Sequence, residues 1–248
     1  MKLDYKILHF ETTESTNQIA EEEVFRNRPK EFTIFCTDFQ TKGKGVGSNT
    51  WQSNRAENLL LSIVLYPDFL GPADQFMINK VVSLGVCRCL GEFIPQSNFL
   101  VKWPNDIWVD SGKIAGILSR NLILGNQFDT CIVGIGLNVN QNVFNPDLPN
   151  PVSMAQIAGH PFDRNQVLDS LIQHIALYYN LLKISNLKMI DQQYLERLLH
   201  FNSIATFIAD GCQFEGIIRG VDQFGLLLVE RDKRILKYDL KEITLKTN

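Results

Sequence analysis

The sequence predicts an α+β fold in two parts, strands interleaved with helices over residues 1–200 and a small β-barrel over 201–248. Three observations carry this. Apolar runs rich in β-branched and aromatic residues alternate with stripes at helical spacing as far as about residue 200. Beyond Phe201, five short strand-like segments follow one another, separated by Asp/Gly turns. The chain has 248 residues, of which 45% are hydrophobic and 21% charged, enough to bury a sizeable core and too apolar for a disordered polymer.

In chain order, Lys6–Glu11 reads as a strand, and the polar Glu14-Ser15-Thr16-Asn17 offers N-capping side chains to a helix reaching about Phe25. Phe32–Asp38 and Leu59–Tyr66 read as strands, the second stopped by Pro67. Pro72 suits a helix start, after which Phe76, Val81, Leu84, Leu90 and Ile94 recur at roughly helical spacing. Phe99–Trp103 is a strand stopped by Pro104. Ile107–Val109 and Lys113–Leu124 form a hairpin around Asp110-Ser111-Gly112, and Cys131–Val139 is a further apolar strand. Asn142–Pro161 reads as loop, followed by helices over about 165–184 and 187–200. The terminal strands are placed at 204–209, 214–221, 226–230, 234–238 and 243–245.

A formal net charge of −3 argues against a protein held mainly by a nucleic-acid backbone. No apolar run reaches membrane-spanning length, and the N-terminal residues lack a signal region, so a cytoplasmic location is expected. Five cysteines without a Cys-x-x-Cys pair read as reduced, mostly buried thiols. Four histidines without ligand spacing give no protein-only metal site.

Five segments could carry chemistry. The loop Gln40-Thr41-Lys42-Gly43-Lys44-Gly45-Val46-Gly47-Ser48-Asn49-Thr50-Trp51 can turn several backbone N–H groups on one anion, although it matches neither a P-loop nor a Rossmann fingerprint; a surface loop would look the same. Lys102-Trp103-Pro104-Asn105-Asp106 puts a cation, an aromatic ring, an amide and a carboxylate at a strand end, where turn chemistry alone also favours Asn and Asp. In Lys113-Ile114-Ala115-Gly116-Ile117-Leu118 one lysine opens an apolar strand, and Gly116 admits close approach. Gly134-Ile135-Gly136-Leu137-Asn138-Val139-Asn140 strips one strand face of bulk, as at a ligand wall or a tight backbone contact. Ser15, Thr16 and Asn17 are cap residues that can also meet a neutral polar ligand.

Together and in this order, these segments closely resemble biotin protein ligases of the monofunctional type, over essentially the whole chain and including Gly220-Val221-Asp222-x-x-Gly225 near its end. The resemblance implies a mixed sheet flanked by helices, related to class II aminoacyl-tRNA synthetases, followed by an SH3-like barrel. It implies that biotin and MgATP give biotinyl-5′-AMP and pyrophosphate, with ATP and Mg2+ as co-reactants. The biotinyl group then passes to a lysine of a biotin carboxyl carrier domain of a carboxylase. Some relatives carry an N-terminal winged helix-turn-helix. With Ser-Thr-Asn beginning at residue 15, none is expected here and no DNA partner, while monomer and homodimer both remain open.

Joining a carboxylate to a polyphosphate demands charge neutralisation and positioning rather than an activated nucleophile. By resemblance, Lys113, Lys44 and Asp106 are the catalytic candidates. Lys113 meets the biotin carboxylate and α-phosphate, Lys44 and the N–H groups of Gly43–Gly47 close over the acyl-phosphate, and Asp106 orients or deprotonates the acceptor lysine. Biotin's neutral ureido ring falls to Ser15, Thr16, Asn17 and Gln40, with Lys44, Gly45, Val46, Lys113, Gly116 and Leu118 completing its site. The strands carrying Ile114 and Ile135 offer apolar walls. Gly43, Lys44, Gly45, Trp51, Lys102, Asn105, Lys113, Asn138 and Lys246 fall to ATP, Trp51 near the adenine and Asn138 on the nucleotide.

The chain departs from the family where Lys44 replaces the usual arginine, where Val46 fills a slot often polar or basic, and where Gly47 precedes Ser48 one position early. These departures bear on how firmly the adenylate is retained. Thr206 stands where some relatives have lysine. The rival readings are a lipoate or octanoate ligase or transferase on the same fold and a non-catalytic biotin or biotinyl-adenylate sensor. The first lacks its cysteine–lysine arrangement and its Arg-Arg-x-x-Gly-Gly-Gly loop here.

Overall fold

The computed structural model describes residues 4–47 and 49–246. A seven-stranded sheet is ordered β1-β2-β3-β7-β6-β5-β4. Its strands are β1 (Lys6–Phe10), β2 (Thr33–Thr37), β3 (Leu59–Leu65), β4 (Phe99–Lys102), β5 (Asp106–Val109), β6 (Gly112–Leu124) and β7 (Gln127–Leu137). The β1–β2 pair is parallel and every other pair antiparallel, so the sheet is mixed, as expected.

Strand alternation builds two apolar layers. Ile34 and Cys36 of β2, with Leu61, Ile63 and Leu65 of β3, face a large core closed by α2 (Phe76–Phe93), α4 (Arg164–Lys183) and α5 (Leu187–Arg197). On the other face Phe35, Val64 and Ile132 pack with Ala20, Ile19 and Val24 of α1 (Thr16–Asn27). This second layer covers only part of the sheet. The polar N-terminus of α1 ends over the β3–β7–β6 centre, and the sheet face beyond it is left for a cavity.

Several boundaries differ from expectation. Pro72 opens a 3-10 turn, Pro72–Asp74, and α2 begins at Phe76. The strand expected from Cys131 starts at Gln127, because β6 turns directly into β7 through Gly125 and Asn126 and they pair from Leu124↔Gln127 onward. Within the 142–161 segment lies α3 (Met154–Ala158), started by a Ser153/Gln156 capping box. The helix expected to reach residue 200 ends at Arg197.

After residue 201 come β8 (Ile204–Ala209), β9 (Cys212–Val221), β10 (Leu227–Arg231), β11 (Arg234–Tyr238) and β12 (Ile243–Leu245), as expected to within two residues. They form a five-stranded antiparallel sheet, β11-β10-β9-β8-β12, in the region expected to be a small β-barrel, with β11 and β12 not paired to each other. β12 pairs along its length with β8, and β11 and β12 are the edges of the sheet, with Ile235 and Leu236 of β11 exposed. Trp103 Nε1 donates to Gly225 O at 2.9 Å, tying the β4–β5 turn to the C-terminal strands.

Candidate active site

Two adjacent cross-strand rows form the floor of the cavity. The first runs Leu60–Gly136–Gly116–Asp106–Lys102 across β3, β7, β6, β5 and β4. The second runs Ser62–Gly134–Leu118. Each row has a glycine on β7, and a side chain sits where its Cβ would be. A Cβ at Gly134 would stand 2.6 Å from the Asn17 amide, and one at Gly136 would stand 2.3 Å from Cε2 of Trp51. The bare face of β7 thus seats two of the protein's own side chains. Above it lies a cavity of about 900 Å³, the size of a small-molecule site.

One end is neutral and hydrogen-bonding. Gln40 Oε1 accepts from the Thr16 N–H at 2.8 Å and lies 3.2 Å from Thr16 Oγ1. Asn17 Nδ2 donates to Leu118 O at 3.1 Å. Ser15 occupies the N-cap of α1 but makes no side-chain cap bond, so a residue read as a helix cap keeps its hydroxyl for the cavity it lines. Ser62, which sequence reasoning missed, lies 2.7 Å from both Thr16 Oγ1 and Asn17 Oδ1.

The other end is cationic. Lys44, Lys102, Lys113 and Lys241 line it against one carboxylate, Asp106, in a chain of net charge −3. Lys113 Nζ pairs with Asp106 Oδ1 at 2.7 Å and stands 5.5 Å from the Trp51 ring centroid. Its backbone is clamped, with its N–H donating to Asn150 O at 2.7 Å and its carbonyl accepting from Val152 at 3.0 Å. Lys102 lies 4.3 Å from the Trp108 ring, and burial lowers its pKa, with the Lys113 charge adding to this and Asp106 opposing it. Asn105 Nδ2 donates to Ile117 O, and Ile117 N returns a bond to Asn105 O at 2.9 Å, fixing the Asn105 turn against β6.

The glycine loop closes as a small hairpin. Lys44 bridges Thr50, Gly45 N donates to Asn49 O at 2.8 Å, and Trp51 N donates to Gly43 O at 3.0 Å. Ser48, one of the loop departures, lies outside the described residues.

The cavity brings together Ser15, Thr16, Asn17, Gln40, Lys44, Gly45, Val46, Trp51, Lys102, Asn105, Asp106, Lys113, Gly116 and Leu118. Three expected residues are not on its lining. Gly43 is the buried base of the hairpin. Asn138 is only 3% exposed, and its Nδ2 donates at 3.0 Å to Val152 O, beside Lys113, so it braces the strand. Lys246 joins the C-terminal sheet, its N–H bonded to Thr206 O at 2.9 Å and its Nζ to Gln213 Oε1 at 3.3 Å. In its place the β11–β12 connection presents Lys241, which no spacing pattern singled out. Ile135 lines the cavity, whereas Ile114 is wholly buried in the large core.

Residues 9–138 match the model of the biotin/lipoate A/B protein ligase family. That segment is more than half of the chain, and the chain belongs to this family. It is 29% identical over 260 residues to the bifunctional ligase/repressor BirA of Bacillus subtilis, covering 96% of this chain and 74% of that protein. It is 27% identical over 195 residues to a biotin–[acetyl-CoA-carboxylase] ligase of Paracoccus denitrificans, covering 77% and 80%. In fold it matches the Aquifex aeolicus biotin protein ligase in complex with biotin and ATP, with a TM-score of 0.80 and 24% identity over 98% of this chain and 99% of that one.

Proposed function

We propose that the chain is an ATP-dependent ligase that activates biotin as biotinyl-5′-AMP and transfers it to a lysine of a biotin carboxyl carrier domain. The observation that carries this reading is the placement of Lys113, whose ammonium lies beside Trp51 and Asp106 in a cavity with a neutral amide–hydroxyl end and a lysine-rich end. The named functions of the relatives support it.

In the first step a biotin carboxylate oxygen attacks the α-phosphorus of ATP, and the bond to pyrophosphate breaks. Lys113 leaves Asp106 to bridge the carboxylate and the α-phosphate, where negative charge gathers. Ser15, Thr16, Asn17 and Gln40 hold the ureido ring. Lys44, Lys102 and Lys241 surround the polyphosphate, and the 43–51 hairpin keeps water from the mixed anhydride. In the second step a neutral carrier lysine attacks the biotinyl carbonyl, AMP leaves, and Asp106 takes up or orients the amine proton. The substrate nucleotide is MgATP. Asp106 and Asn105 would supply oxygen donors that suit Mg2+ alongside phosphate oxygens.

A lipoyl or octanoyl transfer through a cysteine finds no support. Cys36, Cys87 and Cys89 are buried, with thiols pushed up to about 12, and no cysteine lines the cavity among the described residues. The catalytic unit is assigned to 1–200 and a nucleotide-side cap to 201–248. Kinship with class II aminoacyl-tRNA synthetases and SH3-like barrels belongs to the same proposal, supported by the shared chemistry of carboxylate adenylation and by the five short C-terminal strands. A cytoplasmic setting belongs to the same proposal, supported by the burial of the unpaired Cys36, Cys87, Cys89 and Cys131. No helix among the described residues is long and apolar enough to cross a membrane.

The test incubates the protein with biotin, MgATP and an apo carrier domain, with Lys113→Ala as control. A biotinyl mass gain on the carrier that is lost in the variant is expected. Absence of both labelling and biotin-dependent ATP–pyrophosphate exchange would overturn the reading, and biotin binding without labelling would point to a sensor.

A further inference from the structure

Ser62 lies in the middle of β3, wholly buried, in a strand otherwise made of leucine, isoleucine and valine. A buried hydroxyl there is unfavourable unless it is hydrogen-bonded. Its cross-strand partner is Gly134, whose missing side chain leaves room for the Asn17 amide. Asn17 spans the row: its Nδ2 donates to Leu118 O on β6, which fixes the amide so that Oδ1 points to Ser62 on β3. An amide oxygen only accepts, so its one partner hydroxyl here must donate. With the Ser62 proton on Asn17, the 2.7 Å contact to Thr16 Oγ1 has the Thr16 hydroxyl donating to Ser62, while Gln40 Oε1 is held by the Thr16 backbone N–H at 2.8 Å. Because Oε1 of Gln40 is held by Thr16, the amide nitrogen of Gln40 is left for an acceptor on the ligand.

We infer that Ser62 is a positioning residue for biotin recognition, a buried hub that fixes the side chains of Thr16 and Asn17. The inference rests on the assignment of Thr16, Asn17 and Gln40 to biotin. Ser62 touches the ligand only through them. A hydroxyl in this position discriminates ligands by polarity: removing it frees the two side chains to rotate and weakens selection of a ureido group over an apolar ring.

The experiment compares wild type with Ser62→Ala and Ser62→Thr, measuring biotin affinity by calorimetry and the KM values for biotin and for ATP in pyrophosphate exchange. Ser62→Ala is expected to weaken biotin binding and raise its KM at least tenfold, with the KM for ATP and kcat at saturating biotin within threefold of wild type. Ser62→Thr, which keeps the hydroxyl on a β-favouring side chain, is expected to restore biotin affinity. Equal losses for biotin and ATP, or an unchanged biotin affinity, would overturn the role of Ser62. If Ser62→Ala does not fold, Ser62→Cys, of similar volume and a weak donor, is read by the same criteria. Wild-type protein that binds no biotin would instead remove the assignment of the site itself, so the two failures are distinguishable.

Discussion

The six-membered ring of Trp51 rests on the α-carbon of Gly136. A Cβ there would lie 2.3 Å from Cε2, 2.6 Å from Cζ2 and 2.7 Å from Cδ2 of the indole. Gly116, paired with Gly136 across β6 and β7, receives the edge of the same ring, its Cβ position 2.9 Å from Cζ3. The two glycines make an aromatic surface out of a backbone surface, and the end of the 40–51 loop is docked on them. Trp51 Nε1 is buried without a hydrogen-bond partner among the described residues.

Gly136→Ala therefore should displace Trp51. Overpacking of this kind costs about 1–3 kcal/mol. A red shift of tryptophan emission and a KM for ATP raised about tenfold, equivalent to about 1.4 kcal/mol, are expected. Unchanged emission would show that the ring is not seated on the glycines in solution.

Removing the Lys113 charge should act on the adenylation step. Lys113→Ala is expected to lower biotin-dependent pyrophosphate exchange by about a hundred- to a thousand-fold, the range for one charge aimed at a transition state. Transfer from preformed biotinyl-5′-AMP should fall much less. Similar losses in both steps, read by single-turnover assays, would assign Lys113 to general binding.

Asp106 is tested in the transfer step. Asp106→Asn is expected to slow transfer from preformed adenylate to the carrier about a hundredfold, as for loss of a general base. Full transfer activity in the variant would remove Asp106 from the second step and leave it as the partner of Lys113.

Lys102 carries a pH signature. Burial holds its folded pKa below the ordinary lysine value, so in the empty protein its ammonium is disfavoured and becomes neutral at lower pH than a free lysine. A bound polyphosphate favours the ammonium and raises that pKa. ATP binding on the alkaline side should therefore take up protons and weaken as pH rises through the Lys102 pKa. Calorimetry in buffers of different ionisation enthalpy measures the uptake, and Lys102→Met should abolish it.

On the C-terminal side, Lys241 lines the cavity and Lys246 does not. Lys241→Ala is expected to raise the KM for ATP several-fold and Lys246→Ala to leave it near wild type, because Lys246 bonds within its own sheet. Reversed effects in steady-state assays would return the role to Lys246.

By itself the sequence determined the elements and the segments of the site. Continuous apolar runs such as Leu59–Leu65 and helical stripes such as Val167–Leu182 are local, and the hydrophobic effect reads them wherever they fold. The segments around Ser15, Gln40, Lys102, Lys113 and Gly134 could be singled out because each is an unusual local pattern. Tertiary structure alone decided what the glycines are for, why Ser62 is buried beside Asn17, that Asn138 faces away from the cavity, that Lys241 faces it, and that β11 and β12 are not paired to each other. Each of these depends on a neighbour distant in the chain: Gly136 on Trp51, Ser62 on Thr16 and Asn17, Asn138 on Val152. A contact between distant residues is set by register and packing across several strands, which no single window of sequence contains.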